Sequence, residues 1–156
     1  MARLTPAEVE AALTEVGWHP GRDIGDEVPA LLRVVTEKYA AEGFPLEPIP
    51  TAVAFLREYG LLKLTIPGEP TATLVLAPHW IYEESGEDVA EFAGNLGVKV
   101  FPVGYETFDG SMLLVDERDR FFLLHHTGSY FAGNDKYEAV SCLLRGPLQD
   151  AEDYFV

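Results

Sequence analysis

The spacing of apolar residues changes near residue 61, and this change constrains the fold more than any other feature. Before it, apolar residues recur every three or four positions in three segments, and each segment ends at a glycine. After it, short aliphatic runs typical of strands are interrupted by two further helical patterns. Helices do not alternate regularly with the strands, as they would in a doubly wound parallel sheet. We therefore expect an α+β fold with a mainly antiparallel sheet and with helices at the N-terminus, in the middle and near the C-terminus.

The first predicted helix has the clearest start signal. Thr5 is a good cap, Pro6 suits the first turn, and Glu8 completes a capping box with Thr5. The spacing predicts that Val9, Leu13 and Val16 form its buried stripe. The other predicted elements are helices at 28–41, 51–60, 85–97 (capped by a Ser85–Asp88 box) and 135–145, and strands at 61–66, 71–77, 98–104, 112–116 and 121–126.

Length and composition indicate one domain over residues 1–156. The chain has 156 residues and 47% hydrophobic content, which suffices for one sizeable core. It has no apolar run approaching the 20 or so residues that cross a membrane. The N-terminal segment has acids and no long apolar stretch, so we do not expect a secretory signal. The one cysteine, Cys142, cannot form an internal disulfide and is expected to be buried, and a cytoplasmic location follows.

The formal net charge of -15 indicates what kind of partner the chain can attract. Such a field repels nucleic acid and anionic membranes and attracts a basic protein. Many proteins are acidic only because charge keeps them dispersed, so a solvated surface is the competing explanation. The charge does not specify an oligomeric state.

Three clusters of acids lie in predicted loops, at a helix start and in the tail. Acids at a helix start oppose the positive end of the helix dipole, which is a purely structural role. Acids concentrated in loops also suit a docking surface. The predicted partner-binding residues are Glu83, Glu84, Glu87, Asp88 and Glu91, then Asp116, Glu117 and Asp119, and finally Asp150, Glu152 and Asp153.

The sequence lacks the common catalytic motifs. It has no nucleophile elbow, P-loop, dinucleotide fingerprint or zinc-deaminase signature. His125 and His126 are adjacent on a predicted strand, where neighbouring side chains point to opposite faces. They would then need a bulge to share one ion, and no third ligand stands at a useful spacing. We expect no metal, no cofactor and no enzymatic activity.

The stretch "VGWHPGR" after the first predicted helix combines an aromatic ring, two chain-breaking residues and an arginine. Trp18 is expected to bury its rings and keep its indole N–H for a partner. Pro20 and Gly21 force a turn, and Arg22 can then fold back to donate to exposed helix carbonyls. The stretch therefore predicts a clasp that fastens the first helix to the body of the protein.

The same stretch resembles the opening motif of the third subfamily of the SUKH superfamily of bacterial immunity proteins. Further resemblances follow in order in "AVAFLREYGLL", "KVFPVGYE" and "LLVDERDRFFLLHHTGSYFAGNDKYEAVSCLLRG". The chain departs from the family where Asp119 and Arg120 occupy hairpin positions that often hold glycine. The residues that match the fold signature, and that we do not carry over as partner contacts, are Trp18, Pro20, Gly21, Arg22, Gly60, Pro102, Gly104 and Tyr130.

The resemblance implies an α+β protein that binds and neutralises a toxin, commonly a nuclease or deaminase, encoded beside it. We expect stoichiometric blocking of a basic toxin, with no nucleic-acid or membrane partner. One alternative is a small-molecule-binding or regulatory module, in which Trp80, Tyr82, Tyr105, Phe108 and Tyr130 would line a pocket. A hydrolase that uses His125 or His126 is a third hypothesis.

Overall fold

The strands of this computed structural model, which describes residues 3–78 and 80–156, form one antiparallel sheet. Within these residues the sheet has seven strands, and each strand pairs with the next one along the chain. Such a meander needs no crossover between parallel strands. The strands are β1 (Lys63–Ile66), β2 (Ala72–Val75), β3 (Val100–Glu106), β4 (Met112–Asp116), β5 (Phe121–His125), β6 (Gly128–Gly133) and β7 (Gln149–Asp150).

The helices occupy the three regions that the sequence predicted, and the α+β fold is confirmed. Short 3-10 turns at Gly25–Glu27 and Ala151–Tyr154 accompany them. No helix within the described residues is both long enough and apolar enough to span a bilayer. The helices are α1 (Pro6–Glu15), α2 (Val28–Glu42), α3 (Pro50–Tyr59), α4 (Ser85–Leu96) and α5 (Lys136–Arg145).

Helices cover both faces of the sheet. Phe121 and Phe122 are neighbours on β5 and therefore point to opposite faces. The ring of Phe121 lies 5.2 Å from that of Phe55 on α3, and the ring of Phe122 lies 5.2 Å from that of Phe92 on α4. All residues of β4 are accordingly buried, so the centre of the core is a sheet enclosed between helices.

The last helix fastens the start of the chain to the sheet. The helix α5 packs against β1, β5 and β6, and α1 packs on α5. The Leu4 backbone N–H donates to the hydroxyl of Ser141 on α5, with an N–O distance of 2.8 Å. The start of the chain is therefore held to the last helix.

The start signal of α1 is confirmed, whereas that of α4 is wrong. Thr5 and Glu8 form both hydrogen bonds of a capping box. Ser85 instead lies inside α4, and its buried hydroxyl is 2.8 Å from the hydroxyl of Tyr39. The residue that precedes α4, Glu84, adopts a left-handed conformation with φ 61° and makes no side-chain cap. The Ser85 hydroxyl, which the local sequence pattern assigned to a helix cap, is thus engaged in a tertiary hydrogen bond with Tyr39.

Other predicted details differ at the ends of elements. Val16, which was expected in the buried stripe of α1, is 38% exposed because α1 ends at Glu15, one residue before it.

The sequence analysis did not predict β6 or β7. In β6 a glycine stands at each end, and glycine lowers the strand propensity by which strands are recognised. The C-terminal segment expected as an acidic tail is therefore part of the fold.

Candidate functional site

The predicted acid Asp116 is not on the surface. Its side chain is fully buried, and one carboxylate oxygen accepts the backbone N–H groups of Arg118 and Arg120 at 2.8 and 2.9 Å. The other oxygen accepts the Nε–H of Arg120 at 2.6 Å. The prediction that Asp116 belongs to an exposed cluster is wrong, because this carboxylate organises the β4–β5 hairpin from inside.

The other two acids of that hairpin are exposed. Glu117 accepts the backbone N–H of Lys99 at 3.1 Å, which ties the hairpin to the start of β3. Asp119 has φ 63°, a left-handed conformation that favours glycine, aspartate and asparagine. Aspartate is thus compatible with this turn at a position where the sequence analysis expected glycine. Both carboxylates are available to a partner.

Acids from two of the predicted clusters meet at one cleft. The cleft has a volume of about 330 Å³ and lies between α4, the β5–β6 turn and the C-terminal 3-10 turn. Asp88 and Glu91 reach it from α4, and Glu152 reaches it from the C-terminal turn. Asp88 also accepts a hydrogen bond from the Tyr82 hydroxyl at 2.8 Å, which fixes its orientation. We call this the helix–tail cleft.

Two histidines complete the helix–tail cleft. The rings of His125 and His126 lie 4.0 Å apart, so the expectation that they point to opposite faces is wrong. The strand β5 ends at His125 and His126 lies in the following turn, where the alternation of a strand no longer applies. Nδ1 of His125 is 2.8 Å from the Thr127 hydroxyl. Among the described residues, no group of three or more histidine, cysteine or acidic side chains is arranged to hold a metal.

The remaining acids of these two clusters line no common site. The Glu83 side chain is 92% exposed and lies 3.6 Å from the ammonium group of Lys38. Asp150 accepts the backbone N–H of Glu152 and so caps the 3-10 turn, and Asp153 accepts from the Gln149 side chain at 3.1 Å. Glu84 and Glu87 are exposed at the start of α4. These acids contribute to the negative electrostatic potential of the surface rather than to a pocket.

The predicted clasp is present, and it holds the α1–α2 link to α3. The Trp18 side chain is 8% exposed, and its indole N–H donates to the Glu58 carboxylate at 3.1 Å. The Arg22 guanidinium donates to the backbone carbonyls of Glu58 and Gly60 at 2.6 and 2.8 Å. These carbonyls lie at the C-terminal end of α3, where a cation also opposes the helix dipole. The Glu58 carboxylate also accepts from Lys136 at 2.6 Å, so α5 joins the same contact.

Glycines of the fold signature stand where backbone segments come close. A Cβ at Gly60 would overlap the carbonyl oxygen of Leu56. A Cβ at Gly104 would lie 2.6 Å from the carbonyl oxygen of Val75, and β3 carries an irregularity between Pro102 and Gly104. Gly21 has φ 80° in the turn that follows Pro20. These glycines therefore shape the fold.

The aromatic residues proposed to line a small-molecule pocket do not converge. The Trp80 ring packs on Tyr105 with centroids 5.8 Å apart. Tyr82 lies instead near His126, at 6.2 Å. Phe108 and Tyr130 line a different groove. The structure therefore does not bring together the pocket on which the small-molecule hypothesis depended.

That groove contains two acids that the sequence analysis missed. It has a volume of about 530 Å³, and we call it the Phe108 groove. Glu106 is 6% exposed and accepts the backbone N–H groups of Phe108, Asp109 and Ser111 at 2.8, 3.3 and 2.9 Å. Burial raises the pKa of Glu106, and its hydrogen bond to Asp109 lowers the pKa of Asp109. The only local signal is the run "ETFDGS" after an apolar strand.

Comparison with protein-family models identifies a family that matches most of the chain. A family model described as SUKH-3 immunity protein matches residues 5–146. The matched span begins at the cap of α1 and ends directly after α5, so it contains both the clasp and the β4–β5 hairpin. No curated protein and no solved structure matches the chain.

Proposed function

Since the chain belongs to the SUKH-3 immunity protein family, we propose that it neutralises a cognate bacterial toxin by forming a stoichiometric complex that blocks the toxin's active site. It does so as a single-domain cytoplasmic protein without catalytic turnover. The observation that carries this proposal is the family match across residues 5–146. The formal net charge of -15 supports the blocking mechanism, because it suits a positively charged target.

We further propose that the toxin is a nuclease or a nucleic-acid deaminase. Enzymes that act on nucleic acid bind phosphates through lysine and arginine side chains, so their substrate grooves are positively charged. An acidic protein can occupy such a groove in place of the phosphates. The proposal therefore links the charge of this chain to the chemistry of its target.

The exposed acids act mainly during encounter. Complementary charge raises the association rate of two proteins more than it slows their dissociation. The attraction is screened over a Debye length of about 8 Å at physiological ionic strength. The proposed steering residues are the predicted acids without the buried Asp116, namely Glu83, Glu84, Glu87, Asp88, Glu91, Glu117, Asp119, Asp150, Glu152 and Asp153.

The proposal is tested with the C-terminal domain of the protein encoded by the adjoining reading frame, which we call the neighbour domain. Co-expression with this chain should abolish its toxicity, and the purified pair should form a complex of fixed ratio. Persistent toxicity while both chains stay soluble, or no complex between the purified proteins, would contradict the proposal.

A charge-matched pair of variants tests the role of the acids. The first variant neutralises four exposed acids of α4 and the residues before it: Glu83→Gln, Glu84→Gln, Glu87→Gln and Glu91→Gln. The control neutralises four exposed acids elsewhere: Glu15→Gln, Asp26→Asn, Glu27→Gln and Glu37→Gln. We expect the first variant to slow association about 10-fold at low salt and the control to slow it less, with little change in dissociation. Equal effects of the two variants would show that only total charge matters.

A further inference from the structure

The rim of the Phe108 groove exposes apolar surface that the fold does not use. The exposed fractions of Phe108, Leu148 and Tyr130 are 69%, 46% and 37%. These three are a third of the nine large hydrophobic residues that are exposed within the described part of the chain. They come from the β3–β4 turn, the segment after α5 and β6, and they line one groove. Clustered exposed apolar residues of this kind mark binding sites, whereas isolated ones do not.

The floor of the groove is negatively charged. Its lining residues include Glu69, Glu106 and Asp109 and no lysine, arginine or histidine. The Oδ1 of Asp109 accepts the backbone N–H and the hydroxyl of Ser111 at 3.2 and 2.7 Å, which fixes this carboxylate at the groove. One oxygen of each acid already accepts two hydrogen bonds within the turn, so the remaining capacity to accept lies at the second oxygen, Oδ2 of Asp109 and Oε2 of Glu106. The groove thus offers acceptors and negative charge beneath an apolar rim.

We propose that this groove is the anchor point of the toxin complex and takes up a lysine or arginine side chain of the toxin. The charged group would lie against Asp109 and Glu106, and the aliphatic stem would pack on Phe108, Tyr130 and Leu148. A long basic side chain matches both parts of the groove, because its stem is apolar and its end is charged. The inference rests on the proposed function and adds a contact site that the predicted acid clusters do not include.

The anchor is separate from the helix–tail cleft. Leu123 lines the Phe108 groove, and its neighbour on β5, Leu124, lines the helix–tail cleft. Adjacent strand residues point to opposite faces, so the two sites open on opposite sides of the β5–β6 hairpin. Their contributions are therefore separable in kinetics. The exposed acids affect association, and the desolvated anchor affects dissociation.

The test uses the neighbour domain and the variant Phe108→Ala, with Phe44→Ala as the control. Both phenylalanines are exposed, at 69% and 40%, and Phe44 does not line the groove. We expect Phe108→Ala to raise the dissociation rate at least about 30-fold, as truncation of an anchoring aromatic does, and to leave association within about twofold. Leu148→Ala, at 46% exposure, should raise the dissociation rate about 10-fold. Urea unfolding curves check that each variant is folded.

Each outcome decides a separate claim. If the wild-type chain binds the neighbour domain and both groove variants dissociate as slowly as Phe44→Ala, the anchor proposal is overturned and the proposed function stands. If Asp109→Asn dissociates at the wild-type rate while Phe108→Ala does not, the groove binds an apolar residue and the proposed basic occupant is wrong. If the wild-type chain does not bind the neighbour domain, the proposed function and the anchor both fail.

Discussion

Replacing Asp116 by asparagine keeps the shape of the side chain and removes its charge. The amide oxygen of an asparagine can still accept the backbone N–H groups of Arg118 and Arg120, which are 2.8 and 2.9 Å from the carboxylate oxygen. The amide nitrogen, however, would face the Nε–H of Arg120, which is 2.6 Å from the second carboxylate oxygen. Two donors would then oppose each other beside a guanidinium group that is only 15% exposed.

The size of the effect follows from these contacts. Breaking a buried ion pair by removing one partner costs about 3–5 kcal/mol. A single hydrogen bond to a charged group is worth about 1.5–3 kcal/mol. The Asp116→Asn side chain keeps two of the three hydrogen bonds, and Arg120 has some access to water. We therefore expect a decrease in the free energy of unfolding at the lower end of the ion-pair range, about 3 kcal/mol. For a chain of this length, this corresponds to a Tm lower by about 6–12 °C.

The measurement is urea unfolding followed by tryptophan fluorescence, at matched m-value. Glu117→Gln is the control, because it changes the adjacent but exposed carboxylate and should leave the transition unchanged. If Asp116→Asn lowered the free energy of unfolding by less than about 1 kcal/mol, the reasoning would be refuted, because removing one partner of a buried ion pair costs more than that. The variant should still bind the neighbour domain in its folded state.

Three further predictions concern the clasp and the core. Arg22→Ala should lower the free energy of unfolding, measured in urea, by about 2 kcal/mol, because the carbonyls of Glu58 and Gly60 lose a charged donor. Arg22→Lys should recover only part of this loss. Equal stability of the wild type and the two variants would contradict the clasp. Gly60→Ala should cost about 1–3 kcal/mol by overlap with the Leu56 carbonyl oxygen, and a thermal melt like that of the wild type would show that the helix end adapts. Cys142 should react with Ellman's reagent at pH 8 only as fast as the protein unfolds, because the thiol is 3% exposed and burial raises its pKa to about 11. Rapid labelling of the folded protein would contradict that assignment.

Features set by neighbouring residues were predictable from the sequence. The capping box of Thr5 and Glu8 needs only the four residues from 5 to 8, and Asp135 caps α5 by accepting the Glu138 N–H three residues on. Gly43, with φ 86°, ends α2 as its sequence position indicated. In each case the hydrogen bond or the dihedral angle involves a single turn of chain. The order of helices and strands followed from the same short-range signals.

Partners supplied by distant residues were not predictable, and even the clasp was predicted without Glu58 and Gly60, the residues that accept its hydrogen bonds. The capping role assigned to Ser85 failed because its hydroxyl meets Tyr39, which is 46 positions away. Asp116 resembles any other hairpin acid until the flanking strands bury it. The Phe108 groove draws its lining from five separate segments, the β1–β2 loop, the β3–β4 turn, β5–β6, α5 and the segment after it. Its two acids therefore carry no shared sequence signal.

The simple neighbour order of the sheet also bears on how the chain can fold during synthesis. Each strand from β2 onward pairs with the strand before it, so its partner has already left the ribosome when it emerges. Pairing between consecutive strands keeps loop-closure costs low and favours rapid assembly. The exception is α5, which must return to β1 and present Ser141 to Leu4. Completion of the fold therefore waits for this last helix and for β7 and the 3-10 turn that follow it, even though strands β1 to β6 can pair one after another beforehand.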